Sequence, residues 1–138
     1  MPTVQASRHS TASPDAVFAA WTDVARWAEA DAIERAEING RFKVGATISS
    51  KARGLPPTRL TITRVEQPRL WTDETTSLGV RMWFDHIVES DDEGTTLTER
   101  ATIVGPLGYF AAFLIKRRLI ALFAASLDHV AAVAEAAG

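Results

Sequence analysis

The sequence predicts an α+β domain in which a curved antiparallel sheet covers a long C-terminal helix. After Gly108 no proline or glycine occurs until Gly138, and this run is dense in Ala, Leu, Phe and Ile, as a long helix requires. Between residues 32 and 104, strand-like segments follow one another with short connections, which favours antiparallel pairing. The predicted order is one strand, two short helices, six strands and the long helix.

The C-terminal helix is predicted to begin at Pro106, because a proline at the first helical position loses no hydrogen bond. At about 1.5 Å per residue the helix is roughly 40 Å long. Winding it at about 100° per residue gives one broad apolar stripe, formed by Ile115, Leu119, Phe123, Leu127, Val130 and Val133. Phe110 and Leu114 lie outside this stripe, so the start of the helix offers apolar surface in a second direction.

Three basic residues, Lys116, Arg117 and Arg118, lie in the middle of this helix and argue against a membrane span. They spread over most of the helix circumference, so they do not predict a coherent phosphate-binding patch. Lys116 falls inside the apolar stripe. Either it extends along its own stem to reach water, or it lines a cavity and meets an anionic or carbonyl group there.

Composition excludes several classes of protein. The 138 residues are 46% hydrophobic and predict a single domain, residues 1–138, with a full core. A net charge of −2 gives no overall field that would attract nucleic acid or an anionic membrane. The absence of cysteine excludes disulfides, a thiol nucleophile and a Cys-based metal site. The N-terminus lacks a basic segment followed by an apolar core, so a cytoplasmic protein is expected.

The first strand is predicted at Thr3–Ser10. A helix start follows, with Ser13 as the N-cap, Pro14 at the first position and Asp15 near the positive end of the helix dipole. A second short helix begins at Asp23. The two short helices together form an apolar clamp that carries Val17, Phe18, Trp21, Val24 and Trp27.

The remaining strands are predicted at Ile33–Ile38, Lys43–Ala52, Thr58–Glu66, Leu70–Ser77, Val80–Glu89 and Thr95–Val104. The pair Asn39-Gly40 is typical of a tight hairpin, and Gly45 is a candidate bulge in the strand that follows.

The last two strands contain the most informative polar residues. Because side chains alternate between the two faces of a strand, the apolar sets place Met82, Phe84, Leu97 and Ile103 toward the core. The same alternation carries His86 and Glu99 inward. His86 either reaches water or a backbone carbonyl at the hairpin end, or orients a ligand. Glu99 either forms a structural bridge with Lys116 or another cation, or contacts a ligand.

The order of elements resembles the SRPBCC superfamily, and within it the polyketide cyclase/dehydrase and lipid-transport family. The resemblance rests on the helix start at residues 13–18, Trp27 after Asp23, the hairpin around residues 94–98 and the entry to the long helix at residues 105–107. It implies a helix-grip fold, with a seven-stranded antiparallel sheet around the C-terminal helix and a deep cavity between them for an apolar or amphipathic molecule. It implies no catalytic motif that could be carried over residue by residue.

The first functional hypothesis is a binding module for a small hydrophobic or amphipathic, lipid- or polyketide-like molecule. Apolar walls with a few polar groups are the usual composition of such a site. The candidate ligand-binding residues are Trp27, Met82, Phe84, His86, Glu99, Phe110, Phe113, Leu114 and Lys116. We expect no cofactor, no nucleic acid, no stable membrane insertion, and a monomer or homodimer.

The second hypothesis is an enzyme of the cyclase or dehydratase type. Glu99, with its pKa raised by burial, is the candidate base, and His86 or Lys116 would polarise a carbonyl oxygen. A third hypothesis is a protein-interaction domain of the co-chaperone type, with Trp83 or the loop of residues 55–57 as the contact.

Other chemistries are disfavoured. The histidines His9, His86 and His129 lie on separate elements without ligand spacing, and His129 falls on the polar face of the helix, which argues against zinc. A nucleophile elbow, a P-loop and a dinucleotide fingerprint are all missing from the sequence.

Overall fold

A computed structural model describes residues 2–77 and 79–137 of the chain. It contains seven strands, two α-helices and one 3₁₀ helix within these residues. The strands are β1 (Thr3–Ser10), β2 (Ile33–Ile38), β3 (Thr47–Ala52), β4 (Thr58–Glu66), β5 (Leu70–Ser77), β6 (Val80–Asp91) and β7 (Gly94–Val104). The helices are α1 (Pro14–Trp21), the 3₁₀ helix (Val24–Glu29) and α2 (Gly108–Ala137).

The strands form one antiparallel sheet with the order β1-β7-β6-β5-β4-β3-β2. Only β1 departs from a simple meander, because it pairs with β7 at the far edge. Helix α2 packs against β1, β7 and β6 and also touches α1. This is a seven-stranded curled sheet around a long C-terminal helix, so the predicted fold class is confirmed.

The start of α1 follows the capping pattern of its sequence. The backbone N–H of Ala16 donates to Ser13 Oγ at 3.2 Å, and Pro14 occupies the first position. Trp21, at the end of the helix, is buried, and its carbonyl accepts a hydrogen bond of 3.0 Å from Trp27 Nε1. This bond ties the 3₁₀ helix to α1 and fixes Trp27 beside the core.

The connection from β2 to β3 is longer than the tight hairpin that Asn39-Gly40 predicts. β3 begins at Thr47 rather than Lys43, and Gly40 and Gly45 both adopt positive φ, at 86° and 94°. Gly45 donates its backbone N–H to the carbonyl of Ile62 in β4 at 2.8 Å. The loop therefore folds against β4 instead of continuing the β2–β3 ladder, and Gly45 is a loop residue rather than a bulge in β3.

Helix α2 begins at Gly108, two residues after the predicted start at Pro106. Gly105 has a φ of 121°, and Gly108 donates its N–H to the Gly105 carbonyl at 3.0 Å, so a turn precedes the helix. The helix is long and apolar enough to span a membrane by length and composition. Its buried residues nevertheless face the sheet, and it is the core helix of the fold.

The core is centred on Trp71, which is fully buried on β5. Its ring stacks on His86 with centroids 3.4 Å apart and on Trp27 with centroids 5.9 Å apart. The edges of Trp21 and Phe42 meet it at 6.4 Å and 4.9 Å. This aromatic cluster joins the sheet to α1 and the 3₁₀ helix, and three of its members, Trp21, Trp27 and His86, line the cavity described next.

Candidate functional site: a cavity between the sheet and helix α2

A cavity of about 230 Å³ lies between the inner face of the sheet and helix α2. Most of its walls are apolar. The aromatic and aliphatic lining comprises Trp21, Trp27, Ala30, Ile33, Ala52, Leu55, Pro56, Leu60, Met82, Phe84, Ile115, Leu119, Leu122, Phe123 and Val130. The polar lining comprises Ser50, Thr58, Asp73, His86, Glu99, Ser126 and His129.

Three titratable side chains line the sheet side of this cavity. Asp73 lies on β5, His86 on β6 and Glu99 on β7, and in the ladder His86 is directly opposite Glu99. All three are buried, at 2%, 4% and 9% exposure. Because the strands are neighbours and the side chains alternate, residues far apart in sequence share one wall. We call these three residues the acid–histidine wall.

The tautomer of His86 follows from its hydrogen bond. Its Nδ1 lies 3.1 Å from the carbonyl oxygen of Trp71, and a carbonyl can only accept, so Nδ1 carries the proton. In the neutral ring, Nε2 is then an acceptor that faces Glu99. Burial lowers the pKa of His86 to about 3, although the bonds to backbone oppose this shift.

Glu99 Oε2 lies 3.6 Å from His86 Nε2, slightly beyond hydrogen-bond distance. Burial, followed by repulsion from Asp73, raises the pKa of Glu99 to about 8. The neutral pair, in which Glu99 carries the proton, and the ion pair, in which His86 carries it, contain the same number of protons. Burial favours the neutral pair, because it disfavours every charged form.

Asp73 is the member of the wall that the sequence analysis missed. Its Oδ1 has no hydrogen-bond partner among the described residues, and burial raises its pKa well above the ordinary value. Strand alternation could have found it, because Asp73 is two residues from Trp71 and so shares its inward face. Neither Lys nor Arg lines the cavity among the described residues, so the two acids face no cation there.

The structure brings five of the nine predicted binding residues to the cavity: Trp27, Met82, Phe84, His86 and Glu99. The other four lie elsewhere. Phe110, Phe113 and Leu114 are 62%, 82% and 60% exposed, and Lys116 is exposed as well. The prediction that these four residues line the cavity is therefore corrected. The side of α2 that faces inward begins with small residues, Gly108 and Ala112, so the larger side chains at the start of the helix point away from the cavity. The alternative in which Lys116 bridges to Glu99 is not observed.

The two surfaces predicted as contacts of an interaction domain, Trp83 and the loop of residues 55–57, pack against other residues of this chain. Trp83 is half-buried on the outer face of β6, and the Arg81 guanidinium lies 5.4 Å from its ring centroid. Leu55 and Pro56 line the cavity, and Arg118 donates a hydrogen bond to the adjacent Gly54 carbonyl. The loop of residues 53–57 is thus held against α2.

The three histidines do not meet. His86 belongs to the acid–histidine wall. His9 Nε2 lies 3.7 Å from Asp91 Oδ1, and His129 Nε2 lies 3.0 Å from the carbonyl oxygen of Arg26. His129 lines one edge of the cavity, so the prediction that placed it on the polar face of the helix is corrected. Within residues 2–77 and 79–137, no three His, Asp or Glu side chains, those of the acid–histidine wall included, are placed so that they could hold a metal ion.

The fold recurs in solved structures of known proteins. The di-domain aromatase/cyclase StfQ of the steffimycin biosynthetic pathway matches with a TM-score of 0.80 at 14% identity, covering 97% of this chain and 50% of that one. Norcoclaurine synthase from Thalictrum flavum, solved with dopamine and hydroxybenzaldehyde, matches at 0.74 and 15%, covering 98% and 87%. Ara h 8.0201 matches at 0.70 and 17%, covering 94% and 97%. No curated protein matches the sequence.

These likenesses and the curled sheet around α2 define a helix-grip fold of the Bet v 1-like type. The family model described as polyketide cyclase/dehydrase and lipid transport matches residues 1–135. The chain therefore belongs to this family of the SRPBCC superfamily, as the sequence resemblance predicts.

Proposed function

We propose that the protein binds a small hydrophobic or amphipathic molecule in the cavity between the sheet and α2. The observation that carries the proposal is a cavity with apolar walls and a buried carboxyl oxygen, Asp73 Oδ1, that has no hydrogen-bond partner in the part of the chain that the structure describes. An unpaired buried polar atom costs about 1–3 kcal/mol, so a ligand that supplies the missing hydrogen bond gains that stabilisation on binding. Membership of a family described by polyketide cyclisation and lipid transport supports the same class of ligand.

The arrangement of the walls indicates how such a ligand would lie. Its apolar body would contact Trp27, Phe84 and Phe123, and its polar end would reach the acid–histidine wall. A hydrogen-bond donor on that end suits Asp73 Oδ1, and the proton of Glu99 suits a ligand acceptor. Affinity would come mainly from the apolar area buried, at about 25 cal/mol per Å² before ordering costs.

A second candidate function, proton-transfer catalysis on a bound carbonyl compound, is favoured by one observation. Glu99 has a pKa of about 8 and faces the unprotonated Nε2 of His86 at 3.6 Å. A cavity acid whose pKa is near neutral pH is suited to give up and recover a proton. If turnover occurs, Glu99→Gln should abolish it while leaving ligand binding nearly intact.

The binding proposal predicts that filling the cavity abolishes ligand uptake. The neutral fluorophore N-phenyl-1-naphthylamine, which brightens in apolar sites, serves as the probe. Ser126 lines the cavity, so Ser126→Phe should reduce the affinity for the probe at least about tenfold. Ala124→Phe adds the same bulk to an exposed position of the same helix and should bind like the parent. Equal probe binding by both variants would exclude this cavity as the site.

A further inference from the structure

The first half of helix α2 carries an apolar face that the fold leaves exposed. Its side chains are among the most exposed large apolar groups described: Tyr109 74%, Phe110 62%, Phe113 82%, Leu114 60% and Ile120 38%. At about 100° per residue they share an arc of roughly 140°, opposite the buried side of the helix. Aromatic side chains of this size on one face indicate a surface that something else covers. We call this set the exposed helix face.

The charged residues that α2 itself places beside this face are all positive. On the helical wheel Lys116 and Arg118 fall at its two edges and Arg117 falls within it. These three basic residues therefore lie on and at both sides of the exposed helix face. The first acidic residue of α2 is Asp128, so the first half of the helix carries a local charge of +3 in a chain whose net charge is −2.

The combination of exposed aromatic side chains and positive charge favours one kind of partner for this face. In a two-fold dimer through the exposed helix face, Arg117 would approach the same cations of the second copy with no acid on the face to offset them. An anionic lipid surface satisfies both features. Aromatic rings are stable at the boundary between headgroups and acyl chains, and each nearby Lys or Arg contributes about 1 kcal/mol of attraction to an anionic leaflet.

We infer that the exposed helix face docks the protein on an anionic lipid surface. The cavity reaches the protein surface at the neighbouring loop, because exposed Pro56 lines it and Arg118 donates a hydrogen bond to Gly54. Ile115 and Leu122, on the same helix, line the cavity as well. Docking would thus bring this opening beside the lipid. The inference holds whatever molecule the cavity binds.

The test is co-sedimentation with vesicles of phosphatidylcholine, with and without phosphatidylglycerol. We expect binding only to the mixed vesicles, with an affinity that falls at least about tenfold between low and high salt. Phe113→Ser and Arg117→Glu each change an exposed residue, so folding should be retained, and each should weaken binding about tenfold or more. Circular dichroism melting curves verify the fold of each variant.

Arg69→Glu is the matched control. It makes the same charge change in the turn between β4 and β5. The start of α2 lies near the opposite end of β5, because the carbonyl of Gly79, just after β5, lies beside Gly105, just before α2. This variant should bind mixed vesicles like the parent. Three results would overturn the inference: no binding to anionic vesicles, an equal loss with Arg69→Glu, or a dimer in solution that Phe113→Ser converts to a monomer.

Discussion

Replacing Trp71 by alanine is expected to lower the free energy of unfolding by about 3–5 kcal/mol. Trp71 is fully buried, and its ring contacts three other aromatic residues besides His86. Alanine would leave a void that these rings cannot close without losing their own contacts, and it would remove the stacking surface of His86. Urea denaturation of the parent and the variant, followed by circular dichroism, measures the loss.

Trp83→Ala is the control for this experiment. Trp83 is half-buried on the outer face of the sheet, where truncation leaves no enclosed void. Its loss should stay near 1 kcal/mol. If the two tryptophan variants were destabilised equally, Trp71 would not be the centre of the core.

Glu99→Gln is expected to change how stability depends on pH. The ordinary pKa of a glutamate is 4.5, and burial raises that of Glu99 to about 8. Between these two values the folded protein holds a proton that the unfolded chain has lost, so rising pH favours unfolding. The contribution of Glu99 to the stability of the parent therefore falls as pH rises from 4.5 to 8, and glutamine removes this fall. The free energy of unfolding of the variant, relative to the parent, should rise by up to about 5 kcal/mol over this range.

His86 acts in the opposite direction. Its pKa falls from 6.5 to about 3, so the unfolded chain takes up a proton that the folded protein does not, and stability is lost as pH falls through this range. This contribution is present in both proteins and largely cancels in the comparison. The control is Glu89→Gln, which makes the same substitution at an exposed position of β6. A difference that is constant with pH for Glu99→Gln would mean that Glu99 is hydrated in the folded protein.

The acid–histidine wall carries an energetic cost that the rest of the fold offsets. Burial raises the pKa of both Asp73 and Glu99, no Lys or Arg among the described residues lines the cavity with them, and Asp73 Oδ1 has no hydrogen-bond partner among those residues. A protein selected for stability alone would fill this wall with apolar side chains. Such a local conflict with the rules of core packing is typical of a functional site.

Local patterns in the sequence were sufficient for most of the fold. Alternation and turn residues predicted every strand, with β3 starting four residues late, and the cap at Ser13 and Pro14 predicted α1. The hairpin at Asn39-Gly40 failed because the loop bonds to Ile62 in β4, a contact that no local pattern encodes.

The site was only partly predictable, for two physical reasons. Alternation predicts that His86 and Glu99 face inward, but the wall that they share with Asp73 depends on the pairing of β5, β6 and β7 in the sheet. On α2 the helical wheel already placed Phe110 and Leu114 outside the apolar stripe. That second apolar direction is the exposed helix face, so Phe110 and Leu114 lie at the surface rather than in the cavity.

The most direct test of the central claim is a crystal structure of the protein with N-phenyl-1-naphthylamine bound. We expect the aromatic rings of the probe to lie between Trp27 and Phe123, and its amine nitrogen to lie within hydrogen-bond distance of a carboxyl oxygen of Asp73 or Glu99. An interior packed solid by its own side chains, with His86 and Glu99 turned to bulk water, would contradict it.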